Sequence, residues 1–365
     1  MAAAEAQGHE LYNDETLYDK ENVPLPTIPG IENDSEEGIA FRKKVLMFRY
    51  LSSTRTNEGN KELIWGLDNA GDIIVGSLPN RVLKLNSGDW YNGYSGVSPY
   101  LFTIEHFYTK NGKLPAHDNE FTAERDWLES AGISGREGII NLCVGREPRF
   151  YAWMGFDDGD YTSMLANGSP LRLKLRDSQL QGYNPGLFNR NHCVTGFLSQ
   201  KYIRPNLNLS VNNSWNLKDA PRPLIRLAEL YLNLAECQAA TGDNQGALST
   251  LNKIRQRAGV PAVTMADVTS EMSVMEWIRN ERFVELWGEG QRFYDVRRWM
   301  QGSIYLAAGK REGLNMEQKL DPSFEEFNQR IKVAQPYQWT TRMYLAPIFY
   351  NEAYKNPQMV QAPGY

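Results

Sequence analysis

Two amphipathic helical patterns, separated by a glycine, occupy residues 224–258 and constrain the fold more than any other part of the chain. In both patterns, apolar side chains recur at steps of three and four residues, which is the spacing of a single buried helical face. Gly242 follows the first pattern and Gly259 the second, where helices commonly end. The segment predicts two antiparallel helices, with Pro223 in the first turn of one and Asp243 as the N-cap of the other.

Alanine is frequent on the predicted inner faces, and small residues let two helices approach closely. Together with the tight turn, they are typical of tetratricopeptide-like hairpins. A second helical pair follows, with Thr269 or Ser270 as its N-cap, a turn at Gly288 and an end near Gly302. We therefore predict a right-handed pair of helical hairpins over residues 221–302.

The second helical pair carries many opposite charges. Glu281, Glu285 and Glu289 are spaced four residues apart, and such a stripe of like charges is unfavourable unless cations neutralise it. One interpretation makes Glu281, Glu285 and Asp295 acid–base groups of an enzyme. We favour a partly buried ion-pair network that holds the last two helices together, because each acid has an arginine nearby in sequence. Its predicted members are Glu281, Arg282, Glu285, Glu289, Arg292, Asp295 and Arg298.

Five segments, in the expected order, resemble the signature motifs of the SusD/RagB family, and the resemblance covers most of residues 80–365. Two positions depart from the family pattern: Glu147 and Ala362 stand where the family usually has Asp and Asn. The five segments are residues 98–115, 145–153, 194–205, 221–299 and 356–365.

The resemblance implies a mostly α-helical SusD-like fold, with tetratricopeptide-type hairpins, a large loop-rich ligand-binding region and few short strands. We expect one continuous domain with a ligand-binding region at 1–220, the hairpins at 221–302 and a wrapping tail at 303–365. Family members are usually longer, with a secretory signal, a lipid-acceptor cysteine and further helical repeats. We therefore expect this chain to be the C-terminal portion of such a protein, or a shortened gene product.

Function is also implied by the resemblance. It predicts a surface lipoprotein of Bacteroidetes-like bacteria that binds a glycan and delivers it to a TonB-dependent, SusC-like transporter in the outer membrane. The full-length protein would be lipid-anchored at the cell surface. A peptide-binding member of the same family, a non-catalytic protein-interaction scaffold and a glycoside hydrolase with paired carboxylates are the alternatives.

Composition and missing motifs argue against several classes of function. The net charge is −5 and no basic block occurs, which argues against a nucleic-acid partner. The three cysteines, Cys143, Cys193 and Cys237, are scattered and lack zinc-ligand spacing. Motifs for nucleotide binding, zinc proteolysis and serine hydrolysis are missing from the sequence. We predict a protein that is not an enzyme and that needs no cofactor.

A calcium site is the one alternative to the expectation that no cofactor is needed. Asp157, Asp158 and Asp160 lie close together in sequence, and carboxylates are typical calcium ligands. The spacing does not match an EF-hand loop, so we expect a solvated acidic turn by default.

Aromatic residues are abundant, with 9 Trp, 19 Tyr and 14 Phe, and many lie in stretches rich in Gly, Asn and Asp. Aromatic rings can cover the apolar face of a sugar while neighbouring polar groups bond its hydroxyls. In the family, loops away from the helical repeats form such a platform. The matching loop here predicts a ligand site at Asp89, Trp90, Tyr91, Asn92 and Tyr94. The alternative is that these rings anchor the loop to the core, which would leave the platform to Trp153, Tyr161 or a region outside this chain.

The rest of the chain gives weaker patterns. We predict loops over residues 1–60, and a tail at 303–365 with a helix over 322–331. Further helices are predicted at 100–108 and 121–132, and strands at 62–67, 72–77, 138–144 and 169–176.

Overall fold

The computed structural model describes residues 1–67, 76–84, 86–91, 93–165, 170–187, 191–209, 220–306, 311–335 and 337–365. Helices dominate the regular structure, as predicted. In the described ranges they are α1 (Ala2–Ala6), α2 (Leu17–Lys20), α3 (Glu36–Leu51), α4 (Leu101–His106), α5 (Pro148–Trp153), α6 (Leu227–Ala240), α7 (Asn244–Ala258), α8 (Val274–Glu285), α9 (Gln291–Arg298), α10 (Gly302–Tyr305), α11 (Phe324–Phe327) and α12 (Tyr350–Lys355).

The strands are short and form small separate sheets, which confirms the expectation of few short strands. In the described ranges the strands are β1 (Leu63–Leu67), β2 (Leu83–Lys84), β3 (Trp90–Tyr91), β4 (Met154–Phe156), β5 (Asp160–Leu165), β6 (Pro170–Arg172), β7 (Phe197–Ser199), β8 (Asn208–Leu209), β9 (Arg222–Arg226), β10 (Glu312–Leu314) and β11 (Arg330–Lys332). Antiparallel pairs join β1 to β9, β2 to β3, β4 to β7 and β10 to β11, and a three-stranded sheet has the order β6-β5-β8.

The first predicted hairpin is confirmed as α6 and α7. Asp243 caps α7 by accepting a hydrogen bond from the Gly246 N–H at 2.9 Å. Gly259 ends α7 in the left-handed region, at φ 75°. Leu251 of α7 is fully buried in the core, so the apolar face that the sequence pattern identified is the inner face.

The predicted starts of two helices were wrong. Residues 222–226 form β9 instead of a first helical turn, because they pair with β1 and place Pro223 opposite Gly66. A two-stranded ribbon leaves one edge open, so a proline without an N–H fits there. Helix α8 begins after Ser273, whose hydroxyl accepts from the Glu276 N–H at 3.2 Å. Thr269 instead closes a turn with the Met272 N–H at 2.9 Å.

Helix α3 lies in a region that the sequence analysis assigned to loops. Ser35 caps it by accepting from the Gly38 N–H at 3.0 Å. The second half of the helix, from Val45 to Leu51, is buried throughout. A helix that is buried on all sides loses the polar and apolar alternation by which helices are recognised.

Several short elements also differ from the prediction. Residues 121–132 contain a 3-10 turn, Glu124–Asp126, and 138–144 another, Asn141–Cys143. The predicted helix at 322–331 ends at Phe327, and its last residues pair as β11 with β10. Strand β1 confirms the prediction at 62–67. Of the strand predicted at 72–77, residues 72–75 lie outside the described residues.

Trp153 lies in the centre of the apolar core. Its ring packs edge-on against Phe48 and Phe107, with centroids 5.7 and 6.3 Å away. Side chains of α3, α5, α6, α7 and α8 continue this core. Of the helices that the structure describes, none is both long and apolar enough to span a bilayer.

The hairpin depends on the packing of α7 against α6. We expect Leu251→Ala to lower the free energy of unfolding by about 2–5 kcal/mol, because it removes a fully buried side chain and leaves a cavity. Leu320→Ala, at a side chain that is 50% exposed, is the matched control and should change stability by less than about 0.5 kcal/mol. Urea unfolding measures both. Equal stability of the two variants would contradict this packing.

Candidate functional site

The most concentrated charge in the described structure lies inside the protein. Five carboxylates and five cations meet where α5, α7, α8, the base of the β1–β9 ribbon and the segment after β7 converge. All ten side chains are at most 5% exposed. The acids are Glu62, Glu147, Glu281, Glu285 and Glu289, and the cations are Arg149, Lys201, Arg226, Arg255 and Arg257.

Glu285 is the centre of this buried network. Arg149 and Arg226 each donate to its carboxylate at 2.8 Å, and Arg257 donates to it as well. Arg226 also donates to Glu289 at 2.7 Å. A buried carboxylate is costly unless cations and hydrogen bonds compensate it, and Glu285 has three guanidinium partners.

Burial and the surrounding charges together set the pKa values in this network. Burial alone would raise the pKa of Glu285, but Arg257, Arg226 and Arg149 outweigh it and hold that pKa well below its usual value. Burial raises the pKa of Glu147 despite its contact with Arg149. Burial also lowers the pKa of Lys201 to about 8, against the pull of Glu289.

A second charged cluster joins the last helices. Arg282 on α8 donates to both carboxylate oxygens of Asp295 on α9, at 3.1 and 3.0 Å. Arg298 donates to Asp295 at 2.7 Å and also to Glu236 of α6. The Trp299 ring N–H reaches Glu236 at 2.8 Å. This cluster, rather than Glu285 and Glu289, connects α8, α9 and α6.

Arg292 does not join either cluster in the described structure, contrary to the sequence prediction. Its guanidinium carbon lies 4.5 Å from the ring centroid of Phe283 and 4.1 Å from that of Tyr305. Burial lowers the pKa of Arg292 to about 10. Arg292 was predicted to pair with a carboxylate, whereas in the structure aromatic faces stabilise this cation.

The partners of the buried network were largely missed because they lie far away in sequence. Arg149 is separated from Glu285 by 136 positions, and Glu62 from Arg257 by 195. One signal of these partners was available in the sequence. Glu147 and Arg149 belong to a family motif, but they were not considered as ion-pair partners of the charged residues on α8.

The three acids proposed for an enzyme do not form an accessible acid–base site. Glu281 and Glu285 are fully buried, and Asp295 is 4% exposed. Each is paired with arginine. A substrate cannot reach these carboxylates in this arrangement, so the geometry gives them a structural role.

The expectation of a solvated acidic turn at Asp157, Asp158 and Asp160 was wrong. Their side chains are at most 5% exposed, and each forms an ion pair. In the described parts of the chain, no group of three or more acidic, His or Cys side chains is arranged to hold a metal ion. The counterions are Arg176 for Asp157, Lys174 for Asp158 and Arg136 for Asp160. These cations leave no surplus negative charge for calcium.

Two aromatic residues considered for a ligand platform belong to the core. Trp153 and Tyr161 are both fully buried. The Tyr161 hydroxyl donates within the fold, to the carbonyls of Ser77 and Ser199 at 3.1 and 3.0 Å. Neither ring can contact a ligand, so the polar residues around them misled the sequence analysis.

The predicted ligand loop lies at the surface. Trp90 is half-buried in β3, Asp89 is exposed and Tyr94 is 52% exposed. The loop is fixed at its end, because the Gly93 N–H donates to the Pro79 carbonyl at 3.1 Å. For Tyr91 only the backbone position is described, and Asn92 lies outside the described residues.

A surface groove beside the β1–β9 ribbon was not anticipated. It has a volume of about 330 Å³ and is bordered by Trp65, which is 61% exposed. Thr56 and Asn57, from the 3-10 turn Thr56–Glu58, also line it. The strand was predicted from the sequence, but the exposure of its tryptophan was not. The available signal of an exposed ring was a Trp in a short strand, followed by Gly66.

Glu289 links Arg226 and Lys201, and its side chain is 5% exposed. We expect Glu289→Ala to destabilise the protein by about 3–5 kcal/mol, because two buried cations lose a partner. Ligand affinity of the folded protein should barely change. The matched control is Glu352→Ala, which removes an exposed ion pair with Lys355 and should have an effect below about 1 kcal/mol. Weaker binding at an unchanged melting temperature would assign Glu289 to the ligand site instead.

The two ion pairs of Glu289 predict that the stability of the protein depends on pH. Burial would raise the pKa of Glu289, but Arg226 and Lys201 outweigh it and lower that pKa. The stabilisation is therefore complete above the unfolded pKa, about 4.3, and is lost as the pH falls toward the lower folded pKa. The difference in unfolding free energy between wild type and Glu289→Gln should shrink as the pH falls below about 4.3. A difference that grows below that pH would contradict this sign.

Comparison with known proteins identifies the family. The model of the SusD family matches residues 45–365. SusD-like protein P25 of Formosa agariphila is 33% identical over 246 residues, which are 67% of this chain and 40% of P25.

Solved structures are similar to this chain in fold. The selenomethionine form of BT4246 is 56% identical, with a TM-score of 0.94 over 98% of this chain and 61% of its own. A SusD-like protein (BF3747) from Bacteroides fragilis shares the fold at 22% identity, with a TM-score of 0.65 over 96% of this chain and 70% of its own. The chain thus spans 40% of P25 and 61% of BT4246. From the match to residues 45–365 it follows that this chain belongs to the SusD family.

Proposed function

We propose that the protein binds a glycan at the cell surface and delivers it to a TonB-dependent, SusC-like outer-membrane transporter. Family membership supports carbohydrate binding in general. The observation that carries the proposal is the aromatic loop at the surface, in which Tyr94 is 52% exposed, Trp90 is half-buried and Asp89 is exposed. Rings and a carboxylate in one surface loop suit the mixed apolar and polar character of a sugar.

The described end of the loop, at Gly93 and Ser95, is held by the main chain, which suits binding. Gly93 packs against the main chain of Leu78, where an added Cβ would lie 2.1 Å from the carbonyl oxygen. The Ser95 N–H donates to that same carbonyl at 2.9 Å. A loop held in one conformation loses little entropy when a ligand binds. Tyr91 and Asn92 remain part of the proposed site.

The proposed role is non-catalytic. The described carboxylates of the α8 and α9 region are engaged by arginine. The exposed groups of the ligand loop are suited to stacking and hydrogen bonding. In this role the protein acts as a lid over the transporter barrel that opens to admit the ligand and closes to retain it. A lipid anchor on the full-length protein would hold it at the outer membrane.

Ligand class is tested by glycan and peptide arrays on the purified protein, followed by calorimetry. We expect a glycan to bind, and Trp90→Ala to weaken binding by about tenfold to a hundredfold, since aromatic stacking contributes roughly 1–3 kcal/mol. Tyr354→Ala is the control, because Tyr354 is 79% exposed in α12. A peptide hit without any glycan hit favours the peptide-binding alternative. Normal glycan binding by Trp90→Ala makes this loop structural.

The transporter partner is tested in native membranes. Affinity purification of the tagged full-length protein from outer membranes in mild detergent should recover a barrel transporter in near-equal amount. An unrelated surface lipoprotein with the same tag serves as the control. Recovery of the protein alone, under conditions that preserve such complexes, would contradict the proposed delivery role.

A further inference from the structure

We infer that the groove at Trp65 is a second glycan-binding subsite, in which the indole ring stacks on a pyranose and the polar turn residues that line the groove bond its hydroxyls. This inference rests on the proposed glycan-binding function and adds a location that the ligand loop does not provide. The groove is lined by Arg55, Thr56, Asn57, Leu63, Trp65 and Pro221, among others.

The exposure of Trp65 has a structural cause. Strands β1 and β9 pair antiparallel, and the register shifts on both sides of Trp65, between Leu63 and Gly66. At Gly66 the strands are close, since an added Cβ would lie 3.1 Å from the Arg222 carbonyl oxygen. The ribbon therefore directs the indole outward, where it is 61% exposed. Large aromatic side chains contribute most to stability when buried, so this exposure brings the fold little benefit.

The turn residues that line the groove are polar and held in place. Thr56 and Asn57 are exposed and belong to a 3-10 turn. The Arg55 N–H donates to the Glu58 carboxylate at 3.0 Å across this turn. Arg204 donates to the other oxygen of Glu58 at 2.8 Å, which ties the turn to the body of the protein. Hydroxyl and amide groups on a fixed turn can bond sugar hydroxyls without first becoming ordered.

The volume of the groove and the chemistry of its lining favour a sugar over an apolar partner. A volume of about 330 Å³ lies within the range of small-ligand sites, roughly 300–1,000 Å³. The described lining combines one aromatic ring with the hydroxyl of Thr56 and the amide of Asn57, so the groove offers a stacking surface together with polar groups. The exposed Leu67 of the same ribbon does not line it. The described site therefore fits one face of a pyranose ring.

The test is calorimetry of the purified protein with maltohexaose, cellohexaose, xylohexaose, mannohexaose and chitohexaose, and with tri-alanine as the peptide probe. For a glycan that the wild type binds, Trp65→Ala should weaken binding by about tenfold or more, because a stacked ring is lost. Trp65→Phe should retain most of the affinity. Asn57→Ala should weaken binding by about threefold to tenfold through a lost hydrogen bond. The control Tyr354→Ala should bind normally. All four variants change exposed side chains and should keep the wild-type melting temperature.

The outcomes separate the two proposals. Loss of affinity in Trp65→Ala, with or without loss in Trp90→Ala, supports the groove. Normal affinity in Trp65→Ala together with loss in Trp90→Ala overturns the groove and leaves glycan binding intact. Binding of tri-alanine and of no glycan, or of no probe at all, counts against glycan binding itself, and the groove proposal fails with it.

Discussion

The carboxylate of Glu285 is the point on which the rest of the structure depends. It is fully buried and accepts hydrogen bonds from Arg149, Arg226 and Arg257, which belong to three different parts of the chain. A buried acid without its cations would be strongly destabilising. Helices α5, α7 and α8 and the ribbon therefore have to meet in this one arrangement, and apolar packing around Trp153 fills the space that they enclose.

The same network reaches toward the surface. Glu62 precedes β1 and pairs with Arg226 at the end of β9, at 2.5 Å, so the base of the ribbon is fixed inside the protein. Its outer part carries Trp65 next to the groove. Charge holds these elements together inside the protein, and we propose that the aromatic rings at the surface contact a ligand.

Local patterns were sufficient to predict the α6–α7 hairpin and the helical character of α8 and α9. They could not reveal partners that only the folded chain brings together, such as Arg149 for Glu285. Helix α3 was missed because it is buried on all sides in its second half and shows no amphipathic pattern. For the candidate site, aromatic residues in polar segments were a poor guide: Trp153 and Tyr161 proved to be core, whereas the exposed Trp65 was overlooked. Exposure depends on strand register, which a single sequence does not specify.

A double-mutant cycle between Glu62 and Arg226 tests most directly whether buried ion pairing organises the fold. The stabilities of wild type, Glu62→Gln, Arg226→Met and the double variant would be measured by urea unfolding. Because the two side chains pair at 2.5 Å and are shielded from water, we predict a coupling energy of about 2–3 kcal/mol. A coupling below about 0.5 kcal/mol would mean that the two residues act independently, and would contradict the central role given to the network.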